Sequence, residues 1–434
     1  NMEPSPLTDL TEAKKFVGQS VRTLPVPSFI VDSAKIRDNV ARMHAKLAAI
    51  NESVTASDSS SGFKVQFRPH IKTLKTVEAT RLALGDTTTR VVASTVAEIR
   101  GLKPLLDEGR VQDVLYGLPL SKSVIPQLAA VKRVYADTDL RVSAFVDHPG
   151  QLELLLADPH VAATAAKWSL FVKVDSHDNR AGVPLTSDEY AKILTLFQEN
   201  AERIELAGFY VHAGTSYSAT DKAAAKKHLQ RELDTLLNAL RSVPTALLSN
   251  ETRSSRKLVL SFGATPTAHA LAEADVAPVL QELLGSGAEL ELHAGNFLAL
   301  DLQQASSTLA TPSSIAGWTQ AEIVSFYRER NEYLVNAGVL ALTREPGRWG
   351  GLAHVRGRPG WKIVRVSQEH GLLAWDGSEE VPEEAASKAL GWEMGDRVDL
   401  FPQHMCITAA MHALYFVVDG EDTIVDVWKP WKFW

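Results

Sequence analysis

Eight short β-like runs alternate with helical patterns between Phe63 and His293, and this alternation limits what the chain can fold into more than any other feature. The runs are Phe63–Arg68, Arg90–Ser94, Asp113–Tyr116, Arg141–Val146, Ser169–Asp175, Leu206–His212, Lys257–Phe262 and Glu289–His293. Apolar residues recur at helical spacing over Thr76–Leu84, Val96–Leu105, Ser123–Val134, Gln151–Leu156, Ser187–Asn200, Asp221–Leu240 and Ala268–Leu284. Strand, helix and strand in succession make a right-handed parallel unit, and eight such units close a (β/α)8 TIM barrel of the usual ~250 residues. An open doubly wound sheet is the alternative, which the count of eight disfavours.

Upstream, Phe29–Asp32 leads into a helix from about Ser33 to Ala49, with Asp32 or Ser33 as N-cap, and Ser53–Gly62 reads as a Ser-rich loop without assigned structure. Past Asp301 the helical period nearly stops. Strand candidates follow at Ala321–Tyr327, Glu332–Asn336, Trp361–Val366, Leu372–Trp375, Arg397–Phe401, Ala413–Val418 and Thr423–Val427, with Gly/Pro-rich turns between them. The expected organisation is therefore α/β, with a barrel over 29–305 and a C-terminal β domain over 306–434 to which the segment 1–28 attaches.

A formal charge of -7 and a pI near 6.0 argue against nucleic acid or an anionic membrane as partner, because both require clustered Lys and Arg. No apolar run approaches the ~20 residues of a membrane helix. The start of the chain, with Glu3, Asp9 and Glu12, does not read as a signal peptide, so a cytoplasmic location is expected. Asn1, before Met2, is left aside as a remnant. Cys406 is the single cysteine, which excludes an intrachain disulfide and leaves metal or redox chemistry for the thiol.

In a parallel barrel the chemistry sits at the C-terminal strand ends. Lys72 lies there, after the first run. A pocket that desolvates such an amine keeps it neutral and nucleophilic toward a carbonyl cofactor, although a solvated surface lysine fits the same position. Tyr210 and His212 end the sixth run and can offer a flat face to a pyridine ring and donors to a phosphate; buried core residues are the plain alternative. Glycine-containing turns after runs seven and eight, Gly263–Thr267 and Gly295–Phe297, suit the usual barrel phosphate site. In the β domain His404 and Cys406 stand two apart, so on a strand both would face one side. Imidazole with thiolate suits zinc, and a pair of ligands leaves open positions for catalysis, whereas a packed cysteine beside an unrelated histidine is the bland reading.

The segment Arg68-Pro69-His70-Ile71-Lys72-Thr73 resembles the RPHxKT signature of the pyridoxal-phosphate enzymes of the D-serine dehydratase and D-threonine aldolase family, whose barrels are of the alanine-racemase type. The resemblance implies that Lys72, and not Lys75, carries the cofactor. Leu74 departs from the histidine of many members. Val174–Val183 resembles the VDxGxxRxGV turn of these barrels and places Arg180 beside the cofactor's phenolic oxygen, with His177 where glycine is common. Tyr210, His212 and Tyr217 match a YxHxGxxY segment. Thr265, Gly295 and Asn296 match segments assigned to the phosphate, with Phe297 in place of a tyrosine. Pro402–Cys406 is similar to the PxHxC zinc motif of the dehydratases, and Ser367–Gly371 and Val427-Trp428 also match that group, especially its fungal members. What the resemblance implies is conversion of a small D-amino acid, D-serine, to pyruvate and ammonia with pyridoxal 5'-phosphate and Zn2+, in a homodimer. A D-threonine aldolase, a 3-hydroxyaspartate lyase or dehydratase, and a non-catalytic pyridoxal-phosphate carrier are the alternatives.

Overall fold

The computed structural model describes residues 3–57, 64–164, 166–177, 179–212, 222–248, 257–263, 277–307, 310–376 and 391–434. The chain divides into two compact units: Asn1–Ala41, Thr73–Leu82 and Asn296–Lys432 form one, and Arg42–Lys72, Ala83–Gly295 and Phe433–Trp434 the other. The first strand, β1 (Ser28–Asp32), belongs to the former. The next eight, β2 (Gln66–Pro69), β3 (Arg90–Ala93), β4 (Asp113–Pro119), β5 (Arg141–Val146), β6 (Trp168–Lys173), β7 (Ile204–Tyr210), β8 (Val259–Phe262) and β9 (Glu289–Ala294), build the latter.

These eight strands are parallel, in the order β2-β9-β8-β7-β6-β5-β4-β3. The two end strands share no ladder, only a single parallel bridge between His70 and Val92, and that bridge joins them into a nearly closed barrel. The expected (β/α)8 barrel is therefore present, with β3, β5, β6, β7 and β8 buried along almost their whole length as both-face burial requires. Val92, Leu115, Phe145, Phe171, Ala207, Tyr210 and Val259 pack as one cluster. Below them Arg68 is fully buried and lies between Glu291 (2.7 Å from Nε) and Asp113 (2.8 Å from Nη1). Burial disfavours the Asp113 charge, yet Arg68, Arg141 and Arg90 outweigh it and hold the carboxyl at about 2.

The antiparallel unit has β10 (Gly317–Tyr327), β11 (Glu332–Val335), β12 (Ala353–Val355), β13 (Trp361–Val366), β14 (Gly371–Trp375), β15 (Arg397–Pro402), β16 (Tyr415–Val418) and β17 (Ile424–Trp428). β10 pairs with both β11 and β15, which closes β11-β14-β13-β12-β15-β10 on itself, and β1, β16 and β17 extend the sheet. Trp361, Trp392, Tyr333 and Leu400 fill the interior. β1 pairs antiparallel with β10 and parallel with β16, so its hydrogen bonds go to this sheet.

Two expectations change. The helix after β1 runs from Ser33 to Ser57, through the start of the stretch read as a loop; residues 58–63 lie outside the described set. Tertiary hydrogen bonds override the weak local propensity there: Asn51 accepts the Val65 N–H at 2.7 Å and donates to the Val65 carbonyl at 3.2 Å. Secondly, β15 ends at Pro402 and a helix, Met405–Met411, follows, so the His404–Cys406 pair does not lie on a strand.

Candidate active site

β2 stops at Pro69, and the residues after it are clamped from both sides. His70 donates its N–H to the Ala294 carbonyl of β9 at 2.8 Å, and Ile71 donates to Val92 of β3 at 3.0 Å. Lys72 follows, half-buried, at the C-terminal end of the barrel. Gly295, the residue after β9, borders it: a β-carbon built there would stand 3.7 Å from Lys72 Cε and 3.5 Å from His70 Cβ. The bare backbone leaves space beside the lysine that a side chain would fill. Leu74 is buried and apolar.

Inside the same barrel end three rings stack. Tyr210 lies on His293 with centroids 3.9 Å apart and planes 10° apart, and His212 lies 5.8 Å from His293. Each imidazole is oriented by its Nδ1, that of His212 on the Gly263 carbonyl at 2.9 Å and that of His293 on Ser261 Oγ at 3.0 Å. Burial, first, pushes both histidines well below their ordinary range; His293, Lys173, Lys72 and Arg180 add to the effect on His212. Both rings are therefore neutral near pH 7. Among the described residues His293 Nε2 is buried without a hydrogen-bond partner. Lys173, the last residue of β6, places its Nζ 5.3 Å from the Tyr210 centroid and 5.7 Å from that of Phe145. Gly263 requires its residue type: φ is +126°, and a β-carbon there would come within 2.4 Å of the His293 carbonyl oxygen.

Arg180 sits, exposed, on a loop pinned at its base. Asp175 donates to Val183 at 3.1 Å, Val183 donates to Lys173 at 2.9 Å, and Gly182 donates to Asp147 Oδ2 at 3.1 Å. His177 has a φ of 67°, so a histidine takes the left-handed conformation that glycine adopts more readily. Tyr217 and Thr265 lie outside the described residues.

In the antiparallel unit Pro402 ends the β15 ladder opposite Ala353, and His404 caps the helix that starts at Met405. His404 and Cys406 thus share a strand-to-helix turn, which corrects the alternating-strand expectation. They remain close enough for Cys406 to favour the charged imidazole. His404 Nδ1 stands 2.6 Å from Glu345 Oε2. Burial works against the imidazolium, yet Cys406, Asp301 and Glu345 raise His404 to about 9. Thr73 Oγ1 lies 3.2 Å from Cys406 Sγ. Asn296, expected at the phosphate, donates its amide to Asp301 Oδ2 at 2.6 Å. Among the described residues no cluster of three or more His, Cys, Asp or Glu side chains is arranged for a metal ion.

Residues 316–418 match the family model "Putative serine dehydratase domain". Over the whole chain the similarity is greater: the D-serine dehydratase of Schizosaccharomyces pombe is 37% identical over 431 residues, covering 97% of this chain and 95% of that protein. The chain belongs to the D-serine dehydratase family. It is, accordingly, a lyase. A second member, from Saccharomyces cerevisiae, is 32% identical over 97% of this chain and 99% of its own length. The solved D-threo-3-hydroxyaspartate dehydratase of Delftia sp. HT23 superposes with a TM-score of 0.75 at 22% identity, covering 96% of this chain and all of its own, which establishes a shared fold. A cysteine-to-alanine mutant of that enzyme has been solved in a metal-free form. The fold is also that of an alanine-racemase-like protein from Idiomarina loihiensis, at a TM-score of 0.72 and 24% identity.

Four side chains of this family member escape a reading of motifs, His293, Lys173, Asp301 and Glu345, and Thr73, although inside the RPHxKT segment, has no role assigned by it. His293 carried a signal, since Glu291 and His293 alternate along β9 and share one side of it. Glu345 carried none, being 59 residues from His404, and neither did the Asp301 bond to Met405, which spans 104 residues.

Proposed function

We propose that the chain is a pyridoxal-phosphate- and zinc-dependent D-serine dehydratase that converts D-serine to pyruvate and ammonia. The single observation behind this is the 37% identity to a D-serine dehydratase over nearly the full length, in a chain whose RPHIKT lysine stands at the end of the first barrel strand. The residues fit the cofactor: Gly295 leaves open space beside Lys72, a flat Tyr210–His293–His212 stack lines the barrel end, and among the described residues His293 Nε2 is a buried ring nitrogen without a hydrogen-bond partner. They fit zinc as well, through a neighbouring imidazole and thiol with a carboxylate on the far ring nitrogen.

Lys72 Nζ would hold the cofactor and, as a free amine, would take the α-proton of D-serine. Bound pyridoxal phosphate supplies an electron sink for the α-carbanion. Tyr210, His212 and Tyr217 would orient the ring, Arg180 would face its phenolic oxygen, and Thr265, Gly295 and Asn296 would hold the phosphate. His404 and Cys406 Sγ would hold Zn2+, with Glu345 orienting the imidazole from Nδ1. Bound zinc would supply Lewis acidity to a leaving oxygen, worth on the order of 10 kcal/mol against the ~1–3 kcal/mol of one hydrogen bond. Loss of the β-hydroxyl with a proton leaves 2-aminoacrylate, which takes up water to give pyruvate and ammonia. The metal-free cysteine mutant of the D-threo-3-hydroxyaspartate dehydratase supports the thiolate ligand. We read the working form as a cytoplasmic homodimer; no described helix is long and apolar enough to cross a membrane.

The test is incubation with D-serine, L-serine, D-threonine and D-threo-3-hydroxyaspartate, with products identified. Pyruvate from D-serine but not from L-serine is expected. Glycine and acetaldehyde from D-threonine as the main reaction would make the chain an aldolase, and a far higher kcat/KM on hydroxyaspartate would move the substrate to that compound.

A further inference from the structure

Met405 lies between the two proposed zinc ligands, and its N–H does not point to solvent. It donates to Asp301 Oδ2 at 3.0 Å, the oxygen that also accepts from Asn296 Nδ2 at 2.6 Å, while Asp301 Oδ1 accepts the Gln304 N–H at 3.0 Å. Asp301 is only 1% exposed. A carboxylate is an acceptor with about four lone-pair sites, so one buried group here satisfies three donors at once. Capping the five-residue helix Leu302–Ser306 does not by itself call for a buried charge, since serine or threonine serves as N-cap equally well. The second oxygen does something a hydroxyl cannot reach to do: it fixes the peptide that joins His404 to Cys406.

We propose that Asp301 is a positioning residue that holds the His404–Cys406 turn in a zinc-ready geometry. The inference rests on the reading of those two side chains as zinc ligands. Zinc bonds are short and nearly invariant, ~2.0–2.1 Å to imidazole and ~2.3 Å to thiolate, so a turn free to shift loses affinity quickly. With a pair of protein donors, each ligand's placement carries a large share of the binding.

The experiment is competition for zinc against a chelator, on the full-length protein with pyridoxal phosphate bound, for wild type, Cys406→Ala, Asp301→Asn and Asp301→Ser. In Asp301→Asn an amide NH2 must face donors on one side or the other. Asp301→Ser keeps the helix cap but cannot reach Met405. Both are expected to bind zinc 10–100-fold more weakly, the range that lost outer partners give at metal sites, while retaining the bound cofactor's visible absorbance and the wild-type far-ultraviolet dichroism. Serine serves as the second variant if asparagine prevents folding. Zinc binding that is lost in Cys406→Ala but unchanged in the Asp301 variants overturns this inference alone. Wild-type protein that takes up no zinc, or Cys406→Ala protein that binds it as tightly as wild type, overturns the zinc reading and this inference with it.

Discussion

Thr73 Oγ1 stands 3.2 Å from Cys406 Sγ, 333 residues away in the chain, and Thr73 is the residue directly after Lys72. As a thiolate the sulfur only accepts, so the hydroxyl donates and stabilises the metal-binding form. Thr73→Val keeps the volume and removes the donor. Zinc affinity should fall roughly tenfold, with Thr73→Ser near wild type. Equal chelator competition curves for valine and wild type would leave the hydroxyl a packing feature.

Borohydride reduction of the protein with its cofactor, followed by peptide mapping, should place the label on Lys72. Lys72→Ala should lose turnover by at least the ~10²–10⁴-fold that a positioned proton-transfer group contributes. A label found on Lys75 or Lys64 would refute the assignment.

Glu345 holds the His404 ring from Nδ1 at 2.6 Å. Glu345→Gln keeps a hydrogen bond but gives up the charge, and Glu345→Ala gives up both. Zinc affinity should fall in that order, by up to roughly 100-fold, as for other carboxylate partners of a ligating histidine. A site indifferent to both substitutions would mean that the imidazole does not bind metal.

Asp113 predicts how the barrel responds to acid. Its folded value, about 2, lies below its usual 3.8, so its stabilising contribution is complete above pH ~4 and is lost as pH falls through about 2. The difference corresponds to on the order of 2 kcal/mol. Unfolding by urea at pH 7, 4 and 2.5 should show this loss, and Asp113→Asn should flatten the slope between pH 4 and 2.5. An unchanged slope would show that Arg68 draws its stabilisation from Glu291 alone.

The barrel was legible because both-face burial writes continuous Val, Leu and Phe runs into each strand, with helical patterns between. β12 was not: Ala353–Val355 is three residues long, with Gly350 and Gly351 before it, too little for a period to emerge. The PxHxC motif suggested strand alternation where the structure has a strand-to-helix turn. Pro402 has no N–H to continue a ladder, and Met405, Thr408 and Ala409 are buried at i, i+3 and i+4, a helical signal that the two-residue spacing of His404 and Cys406 obscured. The supporting shell of Thr73, Asp301 and Glu345 depends on tertiary pairing across long stretches of chain, for which no spacing rule exists.

The most direct test of the account follows pyruvate formation from D-serine in the purified protein, first as isolated with pyridoxal phosphate, then after zinc is stripped by a chelator, then after zinc alone is restored. Pyruvate is expected in the first and third conditions and almost none in the second, with no product from L-serine in any. Pyruvate that persists at full rate without zinc would show that His404 and Cys406 hold no catalytic metal, and no pyruvate in any condition would contradict the proposed activity itself.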